Sequence, residues 1–254
     1  METSSIVPFY LDLKFWSFIL SLTAFLLSQL PPIKLWFKPK KLNIEAHHRV
    51  NITHKVGNPN FSFLVSLSNT GGRNLRITAM KVKIFRDGKD LVELPAQNYY
   101  ESQKDQFTVF FVPFTIKPGD DWSHTVRFLN FFDRTTDKSY RANESALRLD
   151  VQKKISARDE SDKNAVIAQP ELVEPFYKLF DKLFVWEPGE YVFEIIVDTK
   201  PSSDVFVKKY RFTLFESETK ELKDHINDYK FGGGISYDVE THGGIFVPIT
   251  EYNS

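Results

Sequence analysis

The sequence contains no cysteine and no surplus of charge of either sign. Without cysteine the chain cannot form a disulfide, a thiolate metal site or a cysteine nucleophile. Its 33 Lys and Arg residues balance its 33 Asp and Glu residues, so the chain as a whole has no excess of cations to bind a phosphate backbone. We therefore expect no nucleic-acid partner.

Also absent are the short motifs that mark common enzyme classes. The chain has no G-x-S-x-G and no H-E-x-x-H, and Gly232–Gly234 is not followed by the Lys-Ser or Lys-Thr of a phosphate-binding loop. The acidic pairs lack the spaced oxygen ligands of a calcium loop, and His47 and His54 lack a carboxylate partner at recognisable zinc spacing. His124 and His242 are placed where a catalytic base could lie, but neither has a nucleophile visible in the sequence. We predict no enzymatic activity, no cofactor and no metal site.

The chain is rich in phenylalanine, which makes up 24 of its 254 residues. Its hydrophobic content of 42% is enough for a sizeable core. Apolar side chains recur with the period of two of a strand buried on one face, at Phe61, Phe63, Val65 and Leu67. Asp87-Gly88 stands between two alternating runs and predicts a hairpin. A change of parity near Ala79 predicts a bulge.

Further strands are predicted on both sides of this stretch. Alternation from Leu42 to Ile52 indicates one long first strand, and the nearly continuous apolar run from Phe107 to Ile116 is typical of a strand covered on both faces. Alternation also predicts a late antiparallel pair, with Tyr191, Phe193, Ile195 and Val197 on one strand and Tyr210, Phe212 and Leu214 on the other. The pattern predicts a mainly β fold, an antiparallel β-sandwich over residues 37–215.

Two turns of the same form precede predicted strands, Ile116-Lys-Pro-Gly-Asp120 and Trp186-Glu-Pro-Gly-Glu190. Together with Ser68-Asn-Thr-Gly71, which precedes a strand that ends in Asp87-Gly88, they resemble the strand openings of immunoglobulin-like and fibronectin-type sandwiches. The resemblance covers about two thirds of the chain, and it implies an immunoglobulin-like fold. Such sandwiches serve many unrelated functions, so the resemblance names no activity.

An insertion in residues 133–185 interrupts the sandwich. Its first part is charged and poor in aromatic residues, which indicates a surface excursion. Pro175 then suits a first helical position, and an apolar stripe at Phe176, Leu179, Phe180 and Leu183 predicts an amphipathic helix. Residues 216–254 are predicted to form a short helix followed by a glycine-rich hairpin or extended tail.

Residues 15–33 carry no charge and lie between Lys14 and Lys34. At 1.5 Å per residue their length nearly matches a hydrocarbon core of roughly 30 Å, so we predict a single transmembrane helix within residues 15–36, after a short tail of residues 1–14. Lysines concentrate after the span, which favours a cytoplasmic body. An exported body is the alternative, and three glycosylation triplets, at Asn51, Asn60 and Asn143, are compatible with it.

These features favour a membrane-anchored, non-enzymatic module that binds a protein partner or acts as a scaffold. Exposed loops and an extended tail on a rigid sandwich would carry the contacts, and the partner-binding candidates are Phe176, Phe180, Gly232, Gly233, Gly234 and Tyr237. The alternative is an exported, membrane-tethered sandwich that binds a small ligand or a glycan. For that function Tyr99 and Tyr100 are the candidate aromatic platform.

Overall fold

The computed structural model describes residues 13–28, 38–102, 107–159, 162–200 and 204–252. Its helices are α1 (Leu13–Ser28), α2 (Arg134–Ala157), α3 (Pro170–Leu183) and α4 (Glu216–Asp224), with 3₁₀ helices at His225–Phe231 and Glu240–His242. Its strands are β1 (Leu42–Ala46), β2 (Arg49–Lys55), β3 (Asn58–Asn69), β4 (Leu75–Arg86), β5 (Lys89–Tyr100), β6 (Val109–Phe110), β7 (Phe114–Ile116), β8 (Asp121–Leu129), β9 (Gly189–Lys200), β10 (Val205–Leu214), β11 (Ile245–Pro248) and β12 (Thr250–Glu251).

The twelve described strands form one antiparallel sheet that nearly closes on itself, with the order β11-β2-β3-β8-β5-β4-β9-β10-β12 along its main path. The prediction of a mainly β, antiparallel fold is confirmed. The immunoglobulin-like sandwich is not, because β5 pairs with β4 along its first half and with β8 along its second half. The sheet therefore passes through β5 from one half to the other, whereas a sandwich has two separate sheets.

The central stretch folds as its pattern predicts. Asp87 and Gly88 join β4 to β5, and both have positive φ, 50° and 76°, as a two-residue hairpin turn requires. The register between β4 and β9 shifts between Ile77 and Ala79, which confirms the predicted bulge. The alternating apolar side chains of β3, β9 and β10 are buried.

The predicted first strand is wrong in one respect, because the structure has two short strands in its place. Both β1 and β2 pair with β3, β1 with its second half and β2 with its first half. Between them the backbone N–H of His47 donates to the carbonyl oxygen of Leu64 at 3.0 Å. Both short strands thus extend the same edge of β3.

The insertion also differs from its prediction. Where we expected a surface excursion, α2 runs for 24 residues, and Asp133 caps it by accepting from the N–H groups of Thr135 and Thr136. Its apolar stripe is sparse, with only Tyr140 and Leu147 buried, so periodicity gave little signal. The second helix, α3, begins at Pro170, five residues before the predicted start.

The core has two parts. The larger part fills the space enclosed by the sheet, where Phe193 lies 5.1 Å from Phe61 and 5.5 Å from Phe63, measured between ring centroids. The smaller part lies under α2 and α3, and its large buried side chains are Tyr140, Leu147, Phe176, Phe180 and Tyr229. The insertion therefore packs on the sheet through its own hydrophobic cluster.

The predicted transmembrane helix is wrong. The described helix α1 has 16 residues and is about 24 Å long at 1.5 Å per residue, which is shorter than a hydrocarbon core of roughly 30 Å. Residues 29–36, the remainder of the predicted segment, lie outside the described residues. Among the residues that are described, no helix is both long and apolar enough to cross a membrane. The single-pass topology, the membrane as a partner and the cytoplasmic location rest on that span, and they are overturned with it.

The central position of Phe193 gives a stability prediction. Phe193 is fully buried among aromatic rings, so Phe193→Ala removes packing and leaves a cavity that costs about 3–5 kcal/mol of unfolding free energy. Phe246, which is 67% exposed on β11, is the matched control, and Phe246→Ala should change that free energy by less than about 0.5 kcal/mol. Urea denaturation measures both, and equal midpoints for the two variants would contradict the assigned core.

Candidate binding surfaces

The two phenylalanines predicted to contact a partner face the protein interior. Phe176 and Phe180 are 1% and 6% exposed in the smaller core cluster. α3 also approaches the turn between β2 and β3 closely, since a Cβ atom on Gly57 would lie 2.6 Å from the carbonyl oxygen of Phe180. In this conformation neither phenylalanine is accessible to a partner.

The glycine segment is folded into a tight turn. Gly232 ends the 3₁₀ helix with a φ of 85°, as glycine does after helices, and the N–H of Gly234 donates to the carbonyl oxygen of Tyr237 at 2.8 Å. Gly233 is buried, whereas Tyr237 is 54% exposed. Of these partner-binding candidates, Tyr237 presents the most accessible side chain, and its role stays a prediction.

The structure places Tyr99 and Tyr100 on opposite faces of the sheet. Tyr99 packs inward, 5.4 Å from Trp122 and 5.0 Å from His124 between ring centroids. Tyr100 lines a groove of about 640 Å³ on the outer face, together with Phe246, Arg49, Asn51 and Thr125. We call it the Tyr100 groove. The two tyrosines therefore do not form one platform.

One surface was missed by the sequence analysis. The apolar run was predicted to be covered on both faces, but four of its side chains are exposed: Phe107 (84%), Val109 (40%), Phe110 (72%) and Val112 (59%). Phe111 and Phe114 point inward and pack near Trp122. Of the run, Phe111, Phe114 and Ile116 thus contribute to the core. We call residues Phe107–Val112 the apolar edge.

The apolar edge also has an unpaired strand side. β6 pairs with β5 through Asn98 and Tyr99, and no other described strand pairs with it. Its free N–H and C=O groups can therefore accept a further strand. The edge combines an open ladder with exposed aromatic side chains.

Three histidines from separate segments form a stacked histidine cluster. They are His54 of β2, His225 at the start of the first 3₁₀ helix and His242 at the end of the second. The ring centroids of His225 and His242 are 4.0 Å apart, and those of His54 and His225 are 4.9 Å apart. His242 Nε2 lies 2.9 Å from Asp228 Oδ2.

Two of these histidines are held in the neutral form. His54 Nδ1 accepts the N–H of Gly57 at 3.1 Å, and Nε2 donates to the carbonyl oxygen of Leu222 at 2.9 Å, so one ring proton satisfies both nitrogens. Burial lowers the pKa of His54 to about 4. Burial and the neighbouring histidines lower the pKa of His225 to about 3.

The histidine cluster has limited chemical capacity. His54 has no free nitrogen for a metal ion, and the described residues include no group of three His, Asp or Glu side chains placed to hold one. His242 and Asp228 line a cavity of about 380 Å³ with Ser217 and Thr241. Neither of those hydroxyl groups bonds to His242 in the described part of the chain. The geometry supports a structural, pH-sensitive contact.

Comparisons with known proteins add no function. No family model matches the chain, and no curated protein resembles it in sequence. Among solved structures, a protein from Archaeoglobus fulgidus is similar over 70% of this chain and 98% of its own, with 9% sequence identity and a TM-score of 0.27. A likeness at that score supports no argument about this chain.

The histidine cluster predicts a loss of stability in mild acid. Between pH 6.5 and 4 the unfolded chain protonates His54 and His225 while the folded chain keeps these two neutral, so the unfolded state binds more protons and stability falls as the pH falls. At pH 5 each contributes a loss of about 2 kcal/mol. Urea denaturation at pH 7 and pH 5 measures it.

The matched variants for this prediction are His225→Gln and His48→Gln. His225→Gln should remove about half of the loss of stability between pH 7 and pH 5. His48 is exposed, so His48→Gln should leave that loss unchanged. A wild-type protein that is equally stable at both pH values would contradict the burial argument. So would equal acid sensitivity in the two variants.

Proposed function

We propose that the protein is a non-enzymatic interaction module that binds a protein partner through the apolar edge. The supporting observation is the exposure of Phe107, Val109, Phe110 and Val112 on a strand with a free side. Contiguous exposed apolar groups on a folded protein mark interaction sites. The absence of catalytic motifs from the sequence is in keeping with a binding role.

The chemistry of the edge specifies the kind of partner. β6 can pair with an extended segment of the partner, whose main chain would continue the ladder beyond β5. Phe107 and Phe110 would then enter apolar pockets, since aromatic anchors supply much of the energy of protein interfaces. The partner is therefore expected to present an extended strand flanked by an apolar surface.

A photo-crosslinker tests this surface in the cells that express the protein. Benzoylphenylalanine at position 110 of the full chain should give a discrete adduct with the partner. The same group at position 215 is the control, because Phe215 is 59% exposed and lies outside the edge. Phe110→Ser should weaken binding of the identified partner at least about tenfold, since loss of an interface anchor costs about 2 kcal/mol or more.

The control variant Phe215→Ser should stay within about twofold of wild type. Urea midpoints of both variants show whether the fold is intact. Equal labelling at the two positions, or unchanged affinity of Phe110→Ser, would exclude the apolar edge as the partner site.

A second function, glycan binding, is favoured by one observation. The Tyr100 groove sets two aromatic side chains, Tyr100 and Phe246, beside the polar groups of Arg49 and Asn51. Flat apolar faces with adjacent hydrogen-bonding groups suit a sugar ring, which has an apolar face and a rim of hydroxyl groups.

The glycan function predicts a specific loss on Tyr100→Ala. On a panel of immobilised glycans, this variant should bind at least about tenfold more weakly than wild type, because the stacking face and its buried area are removed. Tyr252, an exposed tyrosine outside the groove, is the control, and Tyr252→Ala should bind as wild type. A wild-type chain that binds no glycan would reject this second function.

A further inference from the structure

A second groove lies between the outer face of the sheet and α2, and we call it the helix groove. Its walls come from the ends of β2 and β8, the start of β3, the loop after β8 and the part of α2 from Asp137 to Arg148. Its volume is about 750 Å³, within the range of roughly 300–1,000 Å³ found for small-molecule sites. It shares no lining residue with the apolar edge or the Tyr100 groove.

The helix groove is positively charged although the chain is neutral. Four cationic side chains line it, Lys55, Arg127, Arg141 and Arg148, against two carboxylates, Asp137 and Glu144. Arg141 Nε lies 2.8 Å from Asp137 Oδ2, so that pair neutralises itself. The remaining charges leave an excess of cations, which attracts an anion.

Arg127 is the residue that most specifically indicates an anion-binding site. It lies half-buried on β8, with Ser62 of β3 on one side and Asn98 of β5 on the other. Within the described chain its guanidinium has neither a hydrogen bond nor an ion pair, and the same holds for Arg148. Because partial removal of a guanidinium from water is unfavourable without a counter-ion, the chemistry of this position calls for an anionic group.

The groove also offers a neutral polar contact and an apolar face. The side-chain oxygen of Asn60 is buried without a hydrogen-bond partner, and it can accept from a hydroxyl group. Phe131, which is 66% exposed, presents a ring at the same groove. Lys55 Nζ lies 5.2 Å from the ring centroid of Tyr140, which keeps its charge beside the groove.

We propose that the helix groove binds a small phosphorylated organic anion with free hydroxyl groups, the class that includes nucleoside monophosphates. The phosphate pairs with the Arg127 guanidinium, which is suited to bidentate contact with phosphate oxygens. Lys55 and Arg148 add to the positive potential. Asn60 accepts from a ligand hydroxyl, and Phe131 packs against a flat ring.

Isothermal titration calorimetry of the full chain with AMP and adenosine tests the phosphate contact. AMP should bind with one site per chain, and adenosine at least about tenfold more weakly, because it lacks the charged partner of Arg127. Arg127→Gln should lower the affinity for AMP most of the way to that for adenosine, since Lys55 and Arg148 keep part of the positive potential. Arg76, an exposed arginine on β4, is the control, and Arg76→Gln should leave AMP binding unchanged.

Ribose 5-phosphate separates the phosphate contact from the ring contact. Phe131→Ser should lower the affinity for AMP several-fold and leave the affinity for ribose 5-phosphate unchanged. If Arg127→Gln fails to fold by its urea midpoint, Arg148→Gln replaces it, with a several-fold loss expected for both phosphorylated probes.

Three results would overturn the proposal. The first is that neither AMP nor ribose 5-phosphate binds at millimolar concentration. The second is that adenosine binds as tightly as AMP. The third is an equal loss for Arg127→Gln and Arg76→Gln, which would assign the effect to the general surface charge.

Discussion

The near-closure of the sheet depends on one short segment near the end of the chain. β11 pairs with β2 at one edge and β12 pairs with β10 at the other, with only Ile249 between them. The buried Ile249 also donates its N–H to the carbonyl oxygen of His48 at 2.8 Å. Since two edges of the sheet are covered by the same few residues, neither is left open for association with other chains there.

The closing segment is held to β2 by side chains as well as by the backbone. Thr53 Oγ1 donates to the carbonyl oxygen of His242 and Asn51 Nδ2 donates to that of Gly243, both at 3.1 Å. His242 lies just before the segment and stacks on His225, whose ring also contacts His54 of β2. A charge on His54 or His225 would therefore act close to the place where the two edges of the sheet are joined.

The sequence predicted the parts of the fold that depend on local patterns, such as alternation along a single strand. Alternation and the Asp87-Gly88 turn identify the central hairpin because each depends on neighbouring residues. The helix α2 was missed because its packing uses so few apolar positions, chiefly Tyr140 and Leu147. The uncharged N-terminal run predicted a membrane span from hydropathy and length alone, and the helix described there is too short to cross a membrane. Among the candidate residues, Tyr100 lines a groove, the Tyr100 groove.

The proposed sites could not be predicted from the sequence, for a physical reason. The helix groove takes Lys55 and Asn60 from one hairpin, Arg127 from β8 and Arg148 from α2, positions that only tertiary packing brings together. The exposure of the apolar edge could not be predicted from its composition. A continuous apolar run predicts burial on both faces, whichever of its side chains face water. An exposed apolar group is visible only once the core is known.

The two proposed sites are neighbours in the sheet. Asn98 of β5 pairs with Phe110 on one side and with Arg127 on the other, and paired residues point to the same face. At about 4.8 Å per strand, the backbones of Phe110 and Arg127 are about 10 Å apart. An anion bound at Arg127 would neutralise a charge beside the partner surface, and a partner strand on β6 would exclude water from the region near Arg127. Binding at either site therefore changes the surroundings of the other site. By linkage, any effect of the anion on the affinity for the partner equals the effect of the partner on the affinity for the anion.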